Sequence, residues 1–202
     1  MLRPIPLTPE ISLHLAEPGA GLFDASAGQF HSDRPPPFFS FAWAGGQALA
    51  RFLLDHPESV RGRRVTDLAT GSGLVAIAAA RAGAAEVTAV DTDPAALAAV
   101  TRNAAANAVP VAVAATPPPG VEVMVAGDAF YTARVAEQMT AALLAARRSG
   151  ARVLVGDPGR GYLPERLFDR RAEYQVPVPA ALEETERLPT TVWEMRPPPG
   201  GR

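Results

Sequence analysis

Between residues 64 and 155, short apolar runs alternate with helical periods, and no other feature constrains the fold as strongly. Apolar runs of strand length fall at Arg64–Leu68, Glu86–Val90, 111–113, 121–126 and 152–155. Helical spacing occupies the gaps. One helix is expected over 73–82. A second starts at Asp93 as N-cap with Pro94 at its first position, and it carries Leu97, Val100, Thr101 and Ala104. A third is capped by Thr132, presents Val135, Met139 and Leu143, and ends with Arg147 and Arg148 before Gly150. Strand, helix, strand repeated in this way requires parallel pairing with crossovers, so the fold class is α/β, a mostly parallel sheet with helices on both faces.

The flanks add detail. Ile11, Leu13 and Leu15 alternate with polar residues as in a strand, and a Gly-, Ser- and Pro-rich stretch then runs to Pro37. A helix from Gly46 with Leu49, Phe52, Leu53 and His56 on one face is ended by Pro57. A short helix is expected after the loop GDPGRGYLP. Late extended runs at 174–178 and 191–195 have no long helix between them, which leaves them to pair antiparallel at an edge. The chain therefore divides into a lead-in (1–45), one domain (46–196) and a Pro-rich tail (197–202) expected to be disordered.

The run VTDLATGSG carries the chemistry of the first strand. The strand ends in Asp67, and a turn with Gly71 and Gly73 opens the next helix, where free backbone N–H groups meet a ligand. Asp91 ends the following strand, the place for a carboxylate that accepts hydrogen bonds from a ribose diol. Gly71, Gly73 and Ala76 also satisfy the G-x-G-x-x-A pattern of a nicotinamide dinucleotide site. Asp67 discriminates between the two cofactors. A carboxylate beside the turn repels a pyrophosphate, whereas S-adenosylmethionine has no phosphate and offers an ammonium. The sulfonium cofactor is therefore preferred. Asp128 and Tyr131, in VMVAGDAFY after the fourth strand, either face the same cleft or belong to a turn opened by Asp128 with the aromatics in the core. The turn Gly156, Asp157, Pro158, Gly159 and Arg160 is equally compatible with a strained connection and with a substrate contact.

Composition narrows the chemistry further. There are no cysteines, which removes disulfides, thiolate metal sites and cysteine nucleophiles. His14, His31 and His56 have no metal-ligand spacing, and Ser72 in G-S-G has no hydrolase context. No metal is expected. A net charge of -2 offers no basic field for nucleic acid, no run is long enough to span a bilayer, and two early prolines argue against a signal peptide. The expected location is the cytoplasm.

Taken together, PFFSFAWAGGQALARFLLDHP, VTDLATGSGLVAIAAARAGAAEVTAVDTDPAALAAVTRNAAAN, VMVAGDAFY and VLVGDPGRGYLP resemble the seven-β-strand protein-lysine methyltransferases. The similarity is greatest to the electron transfer flavoprotein β-subunit lysine methyltransferases and their bacterial relatives, and it covers roughly residues 37–195. The resemblance implies a Rossmann-like class I methyltransferase sheet with an antiparallel final strand. It implies a cofactor site built from Trp43, Gly45, Gly46, Asp67, Ala69, Gly71, Gly73, Asp91 and Asp128. It also implies that Asp128 and Tyr131, from a D-x-x-Y signature, take part in catalysis and lysine placement, and that the partner is a protein presenting a lysine. Three positions depart from the family. Ala69 stands where relatives have Gly, Phe39 where they often have Trp, and the third strand leads into TPPPG without the usual adenine-binding acid. A small-molecule N- or O-methyltransferase and a non-catalytic binding protein are the competing expectations.

Overall fold

The computed structural model describes residues 1–16, 37–178 and 185–197. His31, most of the Gly/Ser/Pro-rich stretch and all of the tail after Pro197 lie outside the described residues.

The chain opens with a hairpin, β1 (Leu2–Ile5) and β2 (Thr8–His14). Then follow α1 (Ala44–Asp55), β3 (Arg64–Leu68), α2 (Leu74–Arg81), β4 (Glu86–Val90), α3 (Pro94–Ala106), β5 (Ala112–Ala114) and β6 (Val123–Gly127). The chain closes with α4 (Ala133–Arg148), β7 (Arg152–Asp157), β8 (Phe168–Pro177) and β9 (Arg187–Met195). The main sheet has seven strands in the order β5-β4-β3-β6-β7-β9-β8. The first five pair in parallel, and β9 alone runs against its neighbours β7 and β8.

Period-two alternation sorts the strand residues between two faces. Val65, Val123, Val125 and Leu154 join Leu49, Phe52, Leu53, Val75, Ala76 and Val100 beneath α1, α2 and α3. Met124, Val153, Val155, Trp193 and Met195 pack with Ala136, Met139 and Leu143 of α4 on the other face. Both faces of the central strands are covered, which explains why β6 and the middle of β7 are apolar without alternation. Asp93 caps α3 by accepting from Ala95 N at 2.8 Å, and Thr132 caps α4 by accepting from Val135 N.

Several boundaries differ from the periodicity. Helix α1 starts at Ala44, ahead of the expected Gly46, because glycines there pack directly on the sheet. His56 lies past its end, stacked on Phe52 at 4.6 Å with its side chain 48% exposed. The expected short helix is a single 3-10 turn, Glu165–Leu167. Strand β8 starts at Phe168 because the register with β9 continues through an exposed, charged stretch that carries no apolar alternation. On α3, Thr101 is exposed, and the buried face is completed by Asn103 and Asn107.

Those two asparagines receive the hairpin. Ser12 N and His14 N donate to the Oδ1 atoms of Asn107 and Asn103, at 3.1 and 2.8 Å, and Asn107 Nδ2 donates to Ser12 O at 2.7 Å. Ile5, Ile11, Leu13 and Leu15 then pack against Leu74, Ile77, Ala78 and Ala104. Residues 1–16 are thereby part of the packed unit.

Candidate active site

Strand order reverses between β3 and β6, and open α/β sheets bind ligands at the carboxyl ends of the strands flanking such a switch. Asp67 is the last residue but one of β3, Asp91 follows β4 and Asp128 follows β6, so all three acids lie at this end of the sheet.

Asp67 is almost wholly buried. Its Oδ2 accepts from Thr70 Oγ1 at 2.6 Å and from Ala76 N at 3.0 Å, which folds the glycine turn back over the strand end. Burial pushes its carboxyl up to about 7, against the opposing pull of those two hydrogen bonds, and the charge of nearby Asp91 adds to the rise. Its visible role is to shape the turn from within. Gly71 and Gly73 adopt φ of 53° and 83°, a region glycine enters without strain. A Cβ on Gly73 would lie 3.2 Å from Val100 methyls, so α3 is seated against the turn. Ala69 has φ of 56° and an exposed side chain. The departure from Gly therefore strains the backbone and does not crowd the loop.

Asp91 is half-buried and ties the turn to the next strand. It accepts from Gly71 N through Oδ2 and from its own loop at Asp93 N through Oδ1, both at 3.0 Å. Each oxygen keeps a lone pair for a further donor.

Asp128 also sits at positive φ, 56°, with its side chain only 4% exposed. Its Oδ2 accepts from Gly45 N at 2.9 Å, and Arg160 grips both oxygens through Nε at 2.8 Å and Nη2 at 3.2 Å. The guanidinium lies 5.9 Å from the Trp43 ring centroid. Trp43 is held by its indole N–H on Phe38 O at 2.9 Å, and its ring meets Phe38 and Phe41 edge-on. Phe38 in turn lies 5.3 Å from Tyr131, which is 40% exposed. Burial, and secondarily Asp91, raise the Tyr131 phenol above its usual range. Phe39 abuts Gly71, so the segment before α1 lies across the glycine turn.

Gly45 and Gly46 serve packing. A Cβ on Gly45 would fall 2.3 Å from Gly156 O and 2.5 Å from Asp128 N, and one on Gly127 would fall 2.6 Å from Gly46 Cα. The start of α1 is pressed onto the ends of β6 and β7, and this contact aims Gly45 N at Asp128.

The structure thus brings together Trp43, Gly45, Gly71, Asp91, Asp128 and Tyr131, while Asp67, Gly46 and Gly73 act from beneath. Sequence reasoning left Arg160 open and missed Phe38 and Asn103. Asn103, fully buried, donates to Ser72 O at 2.8 Å and so braces the G-S-G turn from α3. An i, i+4 pair of asparagines beside Val100 and Ala104 was the available signal.

The donor set fits a positively charged thioether nucleoside. Asp91 stands at the turn with an acceptor position left on each oxygen, and the arginine nearby is paired with Asp128, which suits a nucleoside without a phosphate. Among the described residues no group of acids and histidines is placed to hold a metal.

Comparison with known proteins agrees. Residues 49–145 match the model of the family described as ribosomal protein L11 methyltransferase (PrmA). The chain is 36% identical over 203 residues to the electron transfer flavoprotein beta subunit lysine methyltransferase of Rattus norvegicus, spanning 95% of this chain and 78% of that protein. It is 38% identical to the Xenopus laevis protein of the same name over 209 residues, spanning 95% and 82%. The fold matches the ribosomal protein L11 methylase of Lactobacillus delbrueckii subsp. bulgaricus with a TM-score of 0.51 at 22% identity, over 73% of this chain and 77% of that one. With the switch-point acids and the glycine turn in place, the chain belongs to the electron transfer flavoprotein β-subunit lysine methyltransferase family and is a methyltransferase.

Proposed function

We propose that the chain methylates the ε-amino group of a lysine on a protein substrate, using S-adenosylmethionine, and that the substrate is an electron transfer flavoprotein β-subunit. The relatives named for that subunit match over 95% of the chain, whereas the ribosomal family model covers residues 49–145, which favours the flavoprotein. One observation carries the lysine assignment: the crevice already seats a cationic side chain between the Asp128 carboxylate and the Trp43 indole.

Bound there, S-adenosylmethionine would supply an electrophilic methyl group on a sulfonium. Asp91 would accept from the ribose hydroxyls, and the turn at Gly71 and Gly73 would carry the amino-acid end above buried Asp67. A lysine has an ordinary pKa of about 10.4, so it arrives charged and must lose a proton before its nitrogen attacks. Asp128 draws in and orients the ammonium, and the proton leaves to water on the solvent side of the crevice, where Tyr131 is exposed. Phe38, Trp43 and Tyr131 wall the approach and limit water around the nitrogen, so most of the acceleration comes from alignment.

The test incubates the purified chain, radiolabelled S-adenosylmethionine and purified electron transfer flavoprotein β-subunit. Label on lysine of the subunit supports the proposal; label confined to small molecules overturns it. In the same assay Asp128→Ala should lose at least about 100-fold in turnover, the scale of one lost electrostatic contact in a buried site, with cofactor binding measured separately.

A further inference from the structure

We propose that Arg160 is an internal placeholder for the substrate's lysine, holding the Asp128–Trp43 seat in the free protein and giving it up when the ammonium arrives; this rests on the lysine assignment above.

The seat is already occupied by Arg160. Both Asp128 oxygens accept from the Arg160 guanidinium, Oδ2 also accepts from Gly45 N, and the guanidinium covers the indole face. Three of the four acceptor positions of the Asp128 carboxylate are taken and the indole face is covered, so an ammonium that is to lie against both the carboxylate and the indole competes with the guanidinium for the same place.

The turn that carries Arg160 is built to let it leave. Gly159 and Gly161 flank it at φ of 88° and 86°, with open space where a side chain would begin. A second carboxylate waits on the other side of the turn. Asp157 Oδ1 caps the turn by accepting from Gly159 N at 2.7 Å and Arg160 N at 3.3 Å. Its Oδ2 is buried with no hydrogen-bond partner. A cavity of about 230 Å³ lined by Asp157, Gly159 and Glu165 adjoins it. The lining also includes Arg170, whose guanidinium is paired with Glu173 and lies over Trp193; a guanidinium swung into that cavity would meet the carboxylates of Asp157 and Glu165 beside this already paired cation, and the unsatisfied oxygen would gain a donor. Arg160 thus has two seats, and only one of them is the substrate's.

A protein whose competent state is a fraction of the whole binds more weakly by that fraction. Removing the placeholder therefore strengthens substrate binding. Arg160→Ala is expected to lower KM for the β-subunit at least about threefold without a matching fall in kcat, whereas Arg160→Lys stays near the wild-type KM. Asp157→Asn keeps the turn cap but weakens the second seat, and it should raise KM. A direct readout titrates the wild-type chain and Arg160→Ala with n-butylammonium by calorimetry, which leaves Trp193, part of the second seat's lining, in place. The probe should bind more tightly to Arg160→Ala by the same factor as the KM change. Equal or weaker n-butylammonium binding, or an unchanged or raised KM, in Arg160→Ala overturns the placeholder and makes Arg160 a fixed clamp on Asp128. The probe arm needs no methyl transfer, so failure of the lysine assignment, seen as absent wild-type labelling of the subunit, is read separately.

Discussion

Thr70 Oγ1 lies 2.6 Å from Asp67 Oδ2, and both groups are shut away from solvent beneath the glycine turn. The hydroxyl and Ala76 N together hold a carboxyl whose proton is retained to about 7, well above the ordinary 3.8, because burial outweighs both hydrogen bonds.

A raised carboxyl destabilises the fold in proportion to how far pH exceeds the unfolded value. Below pH 3.8 both states are protonated and nothing is lost; between 3.8 and about 7 the unfolded chain releases its proton while the folded one keeps it, so stability declines, and above about 7 the loss is complete. Asp67→Asn can keep the acceptor and removes the titration. Its unfolding free energy, measured by chemical denaturation, should overtake the wild type as pH rises from 4 to 8, by an amount on the order of 2–4 kcal/mol at the upper end. A pH-independent difference between the two proteins would contradict this.

Two adjacent glycines should behave oppositely. Gly45→Ala forces a methyl to within 2.3 Å of Gly156 O, so either the helix lifts from the strand ends or the chain does not fold; a loss above about 3 kcal/mol is expected by chemical denaturation. Gly46→Ala meets Val75 Cγ2 at 4.0 Å, an ordinary contact, and should stay within about 0.5 kcal/mol of wild type or gain slightly from helix propensity. Similar losses for both would show that the close approach is not what constrains α1.

Ala69, at φ of 56°, carries strain that glycine would not. Ala69→Gly should change stability by no more than about 1 kcal/mol, since relief of strain is offset by a more flexible unfolded chain. Ala69→Val, with a β-branched side chain in the same conformation, should lose about 2 kcal/mol and weaken cofactor affinity measured by calorimetry. An unaffected valine variant would mean that the turn is free to rearrange.

Asn103 links His14 N to Ser72 O through one buried amide. Asn103→Leu leaves both partners unsatisfied and should cost about 2–4 kcal/mol. Its cofactor Kd should rise more than its KM for protein substrate, since the brace acts on the G-S-G turn and not on the Asp128 seat. Equal effects on the two constants would reduce Asn103 to a general packing role.

Much of this was legible in the sequence because parallel strands and their helices obey local rules. β3 and β4 were located to the residue, and the caps Asp93 and Thr132 fell where side-chain chemistry demanded. The three acids were legible because each ends or follows a strand at the switch point. What escaped was set by distance along the chain. Nothing local marks Arg160 as the partner of Asp128, or Gly45 as the neighbour of Gly156; those contacts exist only once β6 and β7 lie side by side. The hairpin at the start was half visible, as β2, because β1 is too short and too exposed to show a pattern. The exposed start of β8 was invisible for a similar reason, since its pairing with β9 comes from backbone hydrogen bonds and not from apolar alternation.

The antiparallel insertion of β9 between β7 and β8 also orders events on the ribosome. Strand β7 is synthesised first and finds one neighbour, β6, but its other flank stays bare until residues beyond Arg187 emerge. Strand β8, made in the interval, lies at the sheet edge, and among the described residues it pairs with β9 alone. The nascent chain therefore exposes an unsealed strand edge until β9 has emerged, the condition under which a chaperone has most to do.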